Sequence, residues 1–108
     1  MILLQDSPLL QSDIEMSELI MYKCKNVFNI HDISVKDRHQ NMIDCRRLAI
    51  WLHYKHTNMN VYQIAKLLNL SRSTVIFHYG KIQSYIDSND KRTMEMLDRI
   101  GDFFEELV

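Results

Sequence analysis

The segment of residues 63–75 carries the arrangement of residue types best suited to a specific function. Ala65 is small enough to sit where two helices cross, and Asn69, four positions later, tolerates the positive φ of a tight turn. A second helix would then open with short hydroxyl groups and one guanidinium, on Ser71, Arg72, Ser73 and Thr74. Side chains of this kind can reach base edges in a DNA groove. The spacing therefore predicts a helix-turn-helix over residues 61–85.

Each of these residues also has an ordinary structural explanation. Ala65 can simply fill a helix, Ser71 can cap one, and Arg72 can be an exposed charge. The apolar residues Leu70 and Val75, however, fall where the turn and the second helix need anchors. We favour the functional interpretation because all of the positions agree with one motif.

Helical patterns before this segment would position it. A capping-box spacing at Ser12 predicts a first helix that begins after Ser12 and runs to about Phe28. Residues 29–41 are polar and form a charged connector. Within the connector, Ile33 and Val35 indicate one helical turn that packs inward.

Capping residues and apolar stripes predict the remaining helices. A second helix, over about residues 42–56, has its buried stripe at Ile43, Leu48, Trp51 and Leu52. Asn60 caps a short helix over residues 61–68. Ser71 caps a longer helix, whose inward residues are Val75, Ile76, Tyr79 and Ile82. A last helix, over about residues 90–107, carries its apolar stripe at Met94, Leu97, Ile100, Phe104 and Leu107.

Length and composition favour a single all-α domain. The 108 residues are 46% apolar, which is enough for one hydrophobic core. Only two glycines and one proline are present, so little of the chain suits tight hairpins or phosphate-cradling loops. We expect one domain over residues 1–108, a compact bundle of five or six helices. Without a long apolar run or a basic leader, the protein should remain in the cytoplasm.

Charge is distributed unevenly along the chain. Residues 1–20 carry four acidic side chains and no Lys or Arg, whereas residues 21–82 carry ten basic side chains against three acidic ones. Residues 83–108 are again acidic, with seven acidic and three basic side chains. On charge alone, a polyanion-binding surface and an excess spread evenly over the protein are equally compatible with this pattern.

Four segments carry a resemblance to a known family. They are Val35-Lys-Asp-Arg-His39, Arg46-Arg-Leu-Ala-Ile-Trp-Leu52, Val61-Tyr-Gln-Ile-Ala65, and Ser73-Thr-Val-Ile76 followed by Lys81-Ile82. Over about residues 20–86, the chain resembles the C-terminal DNA-binding domain of the bacterial replication initiator DnaA, one of the Trp-repressor-like helical folds. The chain departs from that family's signature over residues 69–74. We therefore expect DNA binding as such, and not recognition of the initiator's usual box.

The resemblance implies how the chain would lie on DNA. In that family the basic connector reaches the minor groove, and the start of the recognition helix reads the major groove. Arg38 is then the minor-groove candidate, with Lys36 and His39 beside it, and Arg46 would contact the phosphate backbone. The complete set of candidate DNA contacts is Lys36, Arg38, His39, Arg46, Arg47, Lys66, Ser71, Arg72, Ser73, Thr74, Phe77 and Lys81.

Other function classes find little support in the sequence. The initiator's ATPase motif, G-x-x-x-x-G-K-[ST], cannot be written with the two glycines present. Cys24 and Cys45 are isolated thiols without a context that would activate them, and we expect both to be reduced. His53 and His56 form an H-x-x-H pair, but no second cysteine pair completes a zinc site. We expect no enzyme activity, no cofactor and no bound metal.

The function we expect is sequence-specific binding of double-stranded DNA by a stand-alone regulator of transcription or replication, either phage-like or accessory. The alternative is a protein-interaction module that binds a replication or transcription protein through the same fold. Convergence of Arg38, Arg46 and Arg72 on one face favours DNA, and their dispersal favours the alternative. The C-terminal helix, at about residues 90–107, either closes the core or provides a homodimer face.

Overall fold

Five α-helices make up most of the residues that the structure describes. The computed structural model describes residues 8–105, with side chains as far as residue 101. In chain order the helices are α1 (Gln11–Phe28), α2 (Gln40–His56), α3 (Val61–Leu68), α4 (Arg72–Asp87) and α5 (Lys91–Glu105). No strand occurs within residues 8–105. The predicted all-α bundle is therefore confirmed, with five helices in this range. None of the described helices has the length and apolar character that crossing a bilayer requires.

Helix α2 is the element around which the other helices are arranged. It packs against α1, α3 and α4, while α5 lies on α1 and α4. Nine of its seventeen residues are buried, so its buried surface is wider than a single stripe. Leu48 and Leu52 are buried as predicted, whereas Ile43 and Trp51 are only half-buried. The predicted stripe was too narrow because the helix is covered by neighbours on several sides.

The predicted capping box at Ser12 is wrong. Helix α1 begins two residues earlier than predicted, and its N-cap is Leu10, which makes no side-chain capping bond. Ser12 is already helical and exposed, so its hydroxyl cannot cap. The buried carboxylate of Asp13 instead accepts a hydrogen bond of 3.1 Å from the backbone N–H of Asn58. This contact ties the start of α1 to the loop after α2.

The connector between α1 and α2 forms a turn at residues 33–34 but contains no helix along its described length. Ile33 is buried as expected, but Val35 is 45% exposed, so the predicted inward-facing pair is only half correct. The carboxylate of Asp32 accepts hydrogen bonds of 2.9 and 2.7 Å from the backbone N–H and the hydroxyl of Ser34. Such side-chain bonds offer the backbone an alternative to helix, which explains the difference.

Helix α5 packs on its own chain along the part that is described. Its buried residues are Thr93, Met96 and Ile100. Arg92 forms an ion pair with Asp44 of α2, which joins the two helices. The side chains of Phe104 and Leu107 lie outside the described residues. The described part of α5 thus helps to close the core, and a homodimer face on this helix stays a prediction.

Both cysteines are fully buried, Cys24 on α1 and Cys45 on α2. Burial raises the pKa of Cys24 well above its ordinary value, and burial raises the pKa of Cys45 to about 12. Both thiols are therefore protonated near neutral pH, the state in which a thiol is a weak nucleophile. They contribute apolar packing between α1 and α2.

A buried histidine joins α1 to α2. His53 is 0% exposed, with Nδ1 2.6 Å from the carbonyl oxygen of Ala49 and Nε2 2.8 Å from the hydroxyl of Ser17. Because a carbonyl only accepts, Nδ1 carries the proton and Nε2 accepts from Ser17. Both ring nitrogens are occupied, so the H-x-x-H pair does not present His53 to a metal. Burial lowers the pKa of His53 below its ordinary value.

We expect the protein to lose stability as pH falls below about 6.5, because the unfolded chain then binds a proton that the buried ring of His53 excludes. Because the pKa of His53 is lowered in the folded protein, its full contribution to the free energy of unfolding is present above the pKa of the unfolded residue. That contribution is lost as pH falls towards the pKa of the folded residue. Urea unfolding at pH 7.5 and 6.0 should show that the free energy of unfolding decreases by at most about 0.8 kcal/mol between the two. In His53→Asn the decrease should be smaller. An equal decrease in both proteins would contradict this account.

Candidate nucleic-acid interface

Helices α3 and α4 are joined by a turn of fixed geometry. At the start of α3, the side chain of Asn60 accepts from the backbone N–H of Gln63 at 2.9 Å, and the Gln63 side chain accepts from the Asn60 N–H at 2.8 Å. Asn69 ends α3 in the left-handed conformation, at φ 57° and ψ 45°. Ser71 then caps α4 by accepting from the backbone N–H of Thr74 at 3.1 Å. The predicted roles of Asn60, Asn69 and Ser71 are confirmed.

Helix α4 has one buried face and one exposed face. Val75 and Ile82 are buried, and Tyr79 is half-buried against Tyr54, with ring centroids 4.5 Å apart. Ile76 is 59% exposed, so its predicted inward position is wrong. Residues 75, 79 and 82 share one helical stripe. Ile76 lies about 100° away from Val75 around the helix, on a side of α4 that the other described helices leave exposed.

A groove of about 420 Å³ lies between the connector and the start of α4. The connector contributes Lys36 and Arg38 to its lining. Helix α4 contributes Thr74 and His78, together with its N-cap residue Ser71. Lys36 and Arg38 are exposed, so their charges are available to solvent or to a ligand. The fold thus brings together two parts of the sequence that were expected to act on the same ligand.

Arg46 is placed differently from the expectation. It is only 7% exposed, and its guanidinium donates to three carbonyl oxygens of the connector, those of Ile33 (3.2 Å), Asp37 (2.8 Å) and Val35. Guanidinium N–H groups that donate to connector carbonyls are not free to bind a phosphate. We therefore correct its predicted role: Arg46 positions the connector and does not contact the phosphate backbone of DNA.

A second contact links the connector to the turn before α4. The side-chain amide of Asn69 donates a hydrogen bond of 3.2 Å to the carbonyl oxygen of Ser34. Asn69 therefore has two functions, since it supplies the positive φ that the turn needs and bonds to the connector. A glycine at this position would supply the backbone conformation without the second contact.

Arg47 and His78 form a polar pair between α2 and α4. The Nε–H of Arg47 donates to Nδ1 of His78 at 3.1 Å, which requires an unprotonated Nδ1. Burial and the neighbouring charges of Arg47 and Arg46 lower the pKa of His78. The neutral ring keeps its proton on Nε2, so His78 contributes a hydrogen-bond donor without a positive charge.

The other predicted residues lie around the groove or beyond it. Arg72 is exposed and lies over the ring of Tyr62 on α3, 4.5 Å from the ring centroid, and it does not line the groove. His39 is exposed, and its Nδ1 lies 2.5 Å from the Asp37 carboxylate. That hydrogen bond, together with one from the His39 backbone, lowers the pKa of Asp37. Lys66, Ser73, Phe77 and Lys81 are all exposed.

The three arginines chosen as a discriminator do not form one exposed cationic cluster, because Arg46 is buried whereas Arg38 and Arg72 are exposed. Arg38 and Arg46 both line the groove, but Arg46 is buried and bonded to the connector, and Arg72 contacts Tyr62 on α3. Sequence reasoning also missed His78, although its position one helical turn after Thr74 was a usable signal.

Among the residues described, no group of His, Cys, Asp and Glu is arranged to hold a metal ion.

Comparison with protein-family models, with curated proteins and with solved structures gave no match to this chain.

Replacement of Arg46 by methionine should lower the free energy of unfolding by about 2–4 kcal/mol, because three connector carbonyls lose their donor. Amide hydrogen exchange in residues 33–39 should rise in this variant. Arg38→Met is the matched control, since it removes the same charge from an exposed position and should change stability by no more than about 0.5 kcal/mol. Similar stability losses in the two variants would contradict a positioning role for Arg46.

Proposed function

We propose that this protein binds double-stranded DNA sequence-specifically, with α3 and α4 acting as a helix-turn-helix. In this proposal α4 enters the major groove, and the connector carrying Lys36 and Arg38 reaches the adjacent minor groove. The protein acts by occupying a site, as a stand-alone regulator of transcription or replication. The proposal involves no chemical step.

The observation that carries the proposal is the shared groove between the connector and α4. Lys36 and Arg38 face Ser71 and Thr74 across it, so cationic groups lie beside hydroxyl groups. Cations suit phosphates or a narrow minor groove, whereas short polar side chains suit base edges. Asp37 is the one acidic residue lining this groove in the described structure, and it is hydrogen-bonded to His39.

The charges along α3 and α4 also suit a polyanion. α3 contains Lys66 and no acidic residue, and α4 contains Arg72 and Lys81 with no acidic residue before Asp87 at its end. Contact of the Arg72 guanidinium with the Tyr62 ring keeps this charge beside the start of α4. A duplex lying along α4 would thus meet positive or neutral side chains over nearly the whole helix.

The resemblance over residues 20–86 supports the same assignment, because it aligns the basic connector and the start of α4 with the two groove-reading parts of the DnaA domain. The burial of Arg46, in contrast, leaves only Arg38 and Arg72 of the three arginines as exposed cations, and this favours the protein-interaction alternative. Direct measurement of DNA binding separates the two.

Binding of the purified protein to labelled duplexes, from a genomic pool and a random control, can be followed by fluorescence anisotropy at two salt concentrations. We expect salt-sensitive binding that Arg38→Ala and Arg72→Ala each weaken, with a salt slope smaller by about one for each phosphate contact removed. Lys91→Ala is the control, because Lys91 is an exposed cation at the start of α5, outside α3, α4 and the connector. It should leave affinity nearly unchanged.

An equal loss of affinity in all three variants would indicate general charge attraction and contradict the assigned interface. Absence of binding even at low salt would refute DNA binding and leave the protein-interaction module as the function to pursue.

A further inference from the structure

The outward face of α4 is apolar or small over three helical turns. Residues 73, 76, 77, 80 and 84 are all exposed and recur at spacings of three and four, which places them on one side of the helix. Ile76 is 59% exposed and Phe77 is 55% exposed. Ser73, Gly80 and Ser84 surround them with small side chains. We call this surface the α4 outer face.

The packing of the described residues gives no reason for a glycine at position 80. A Cβ atom built at this position would meet nothing within 4 Å, and the residue has no positive φ. Glycine within a helix is less favourable than alanine, so it is expected where a close approach requires it. One turn beyond Ile76 and beside Phe77, the missing side chain leaves room for another molecule to approach the helix backbone.

The charges around this face favour DNA over an apolar helix of another protein. The charged residues of α4 near the face are Arg72 and Lys81, and the Nζ of Lys81 lies 5.6 Å from the centroid of the Phe77 ring. The first acidic residue of the helix is Asp87, beyond the face. An apolar centre with positive ends matches a groove whose floor carries methyl groups and whose edges carry phosphates.

The hydrogen-bonding groups on this face are few. Between Ser73 and Lys81, the exposed residues are Ile76, Phe77 and Gly80, none of which has a polar side-chain group. Bidentate recognition of guanine or adenine is therefore not available from the middle of the helix. The apolar group on the major-groove edge of a base pair is the 5-methyl group of thymine, which apolar side chains contact.

We propose that Ile76 and Phe77 are specificity-determining residues that read the 5-methyl groups of thymines in the major groove. This inference rests on the proposed function, and it adds the chemical feature of the site that α4 recognises. The methyl groups lose their contact with water when they pack against the two side chains, which favours sites with thymines at these positions.

The test uses a duplex of 20 base pairs selected from a random pool by the full-length protein. The selected duplex is then synthesised with deoxyuridine in place of each thymine in turn, which removes one methyl group and leaves base pairing unchanged. Anisotropy with the unaltered protein should show about fourfold weaker binding for each contacted methyl group.

Two variants assign the effect to the α4 outer face. In Ile76→Ala and Phe77→Ala, replacing the contacted thymine by deoxyuridine should no longer weaken binding, because the side chain that packs on the methyl group is gone. The dependence of affinity on salt concentration should not change. Tyr22→Ala is the matched control, because Tyr22 is also 59% exposed but lies on α1. It should behave like the unaltered protein.

Gly80→Ala tests the close approach of DNA to the helix. The variant should be at least as stable as the unaltered protein in urea unfolding, because alanine favours helix, yet it should bind the selected duplex more weakly. Unchanged affinity for that duplex would contradict close approach at Gly80.

The outcomes separate this inference from the proposed function. Tight binding that is insensitive to uracil at every position, or a selected duplex that contains no thymine, overturns methyl recognition and leaves DNA binding intact. Failure to select or bind any duplex refutes the proposed function, and this inference falls with it.

Discussion

The candidate interface depends on the buried guanidinium of Arg46. The connector has no helix or strand of its own, so its carbonyl groups need donors from elsewhere in the protein. Arg46 supplies three hydrogen bonds to carbonyls spread over residues 33–37. Together with the contact of Asn69 to Ser34, these bonds fix the connector against the start of α4. Lys36 and Arg38 thereby acquire a fixed position relative to α4.

The parts of the fold that could be predicted from the sequence are those set by neighbouring residues. Asn60, Asn69 and Ser71 act on backbone groups within about four positions, and each has the predicted conformation. The start of α1 was misplaced because its determinant is distant. Asp13 bonds to Asn58, which lies 45 positions further along the chain, and no local pattern reveals that contact.

The candidate site was predictable in its location and less so in its details. Basic residues in the connector and hydroxyl groups at the start of α4 were visible as patterns, and the fold places them around one groove. The orientation of Arg46 was not visible, because sequence spacing does not show whether a cation faces solvent or carbonyls of a preceding segment. Ile76 was misassigned for a related reason, since packing by α2 and α3 decides which face of α4 is buried.

The structure shows that fewer cations of the basic segment, residues 21–82, are free at the surface than the sequence suggests. The basic middle of the sequence counts Arg46 and Arg47 as two cations, but Arg46 is buried and Arg47 is half-buried and bonded to His78. Both contribute to structure more than to the surface field, so a count of charges overstates the attraction of this protein for a polyanion. A surface with few free cations gains less affinity from phosphates. Specific binding by such a surface has to draw more on contacts with the bases, and the apolar outer face of α4 is suited to supply them.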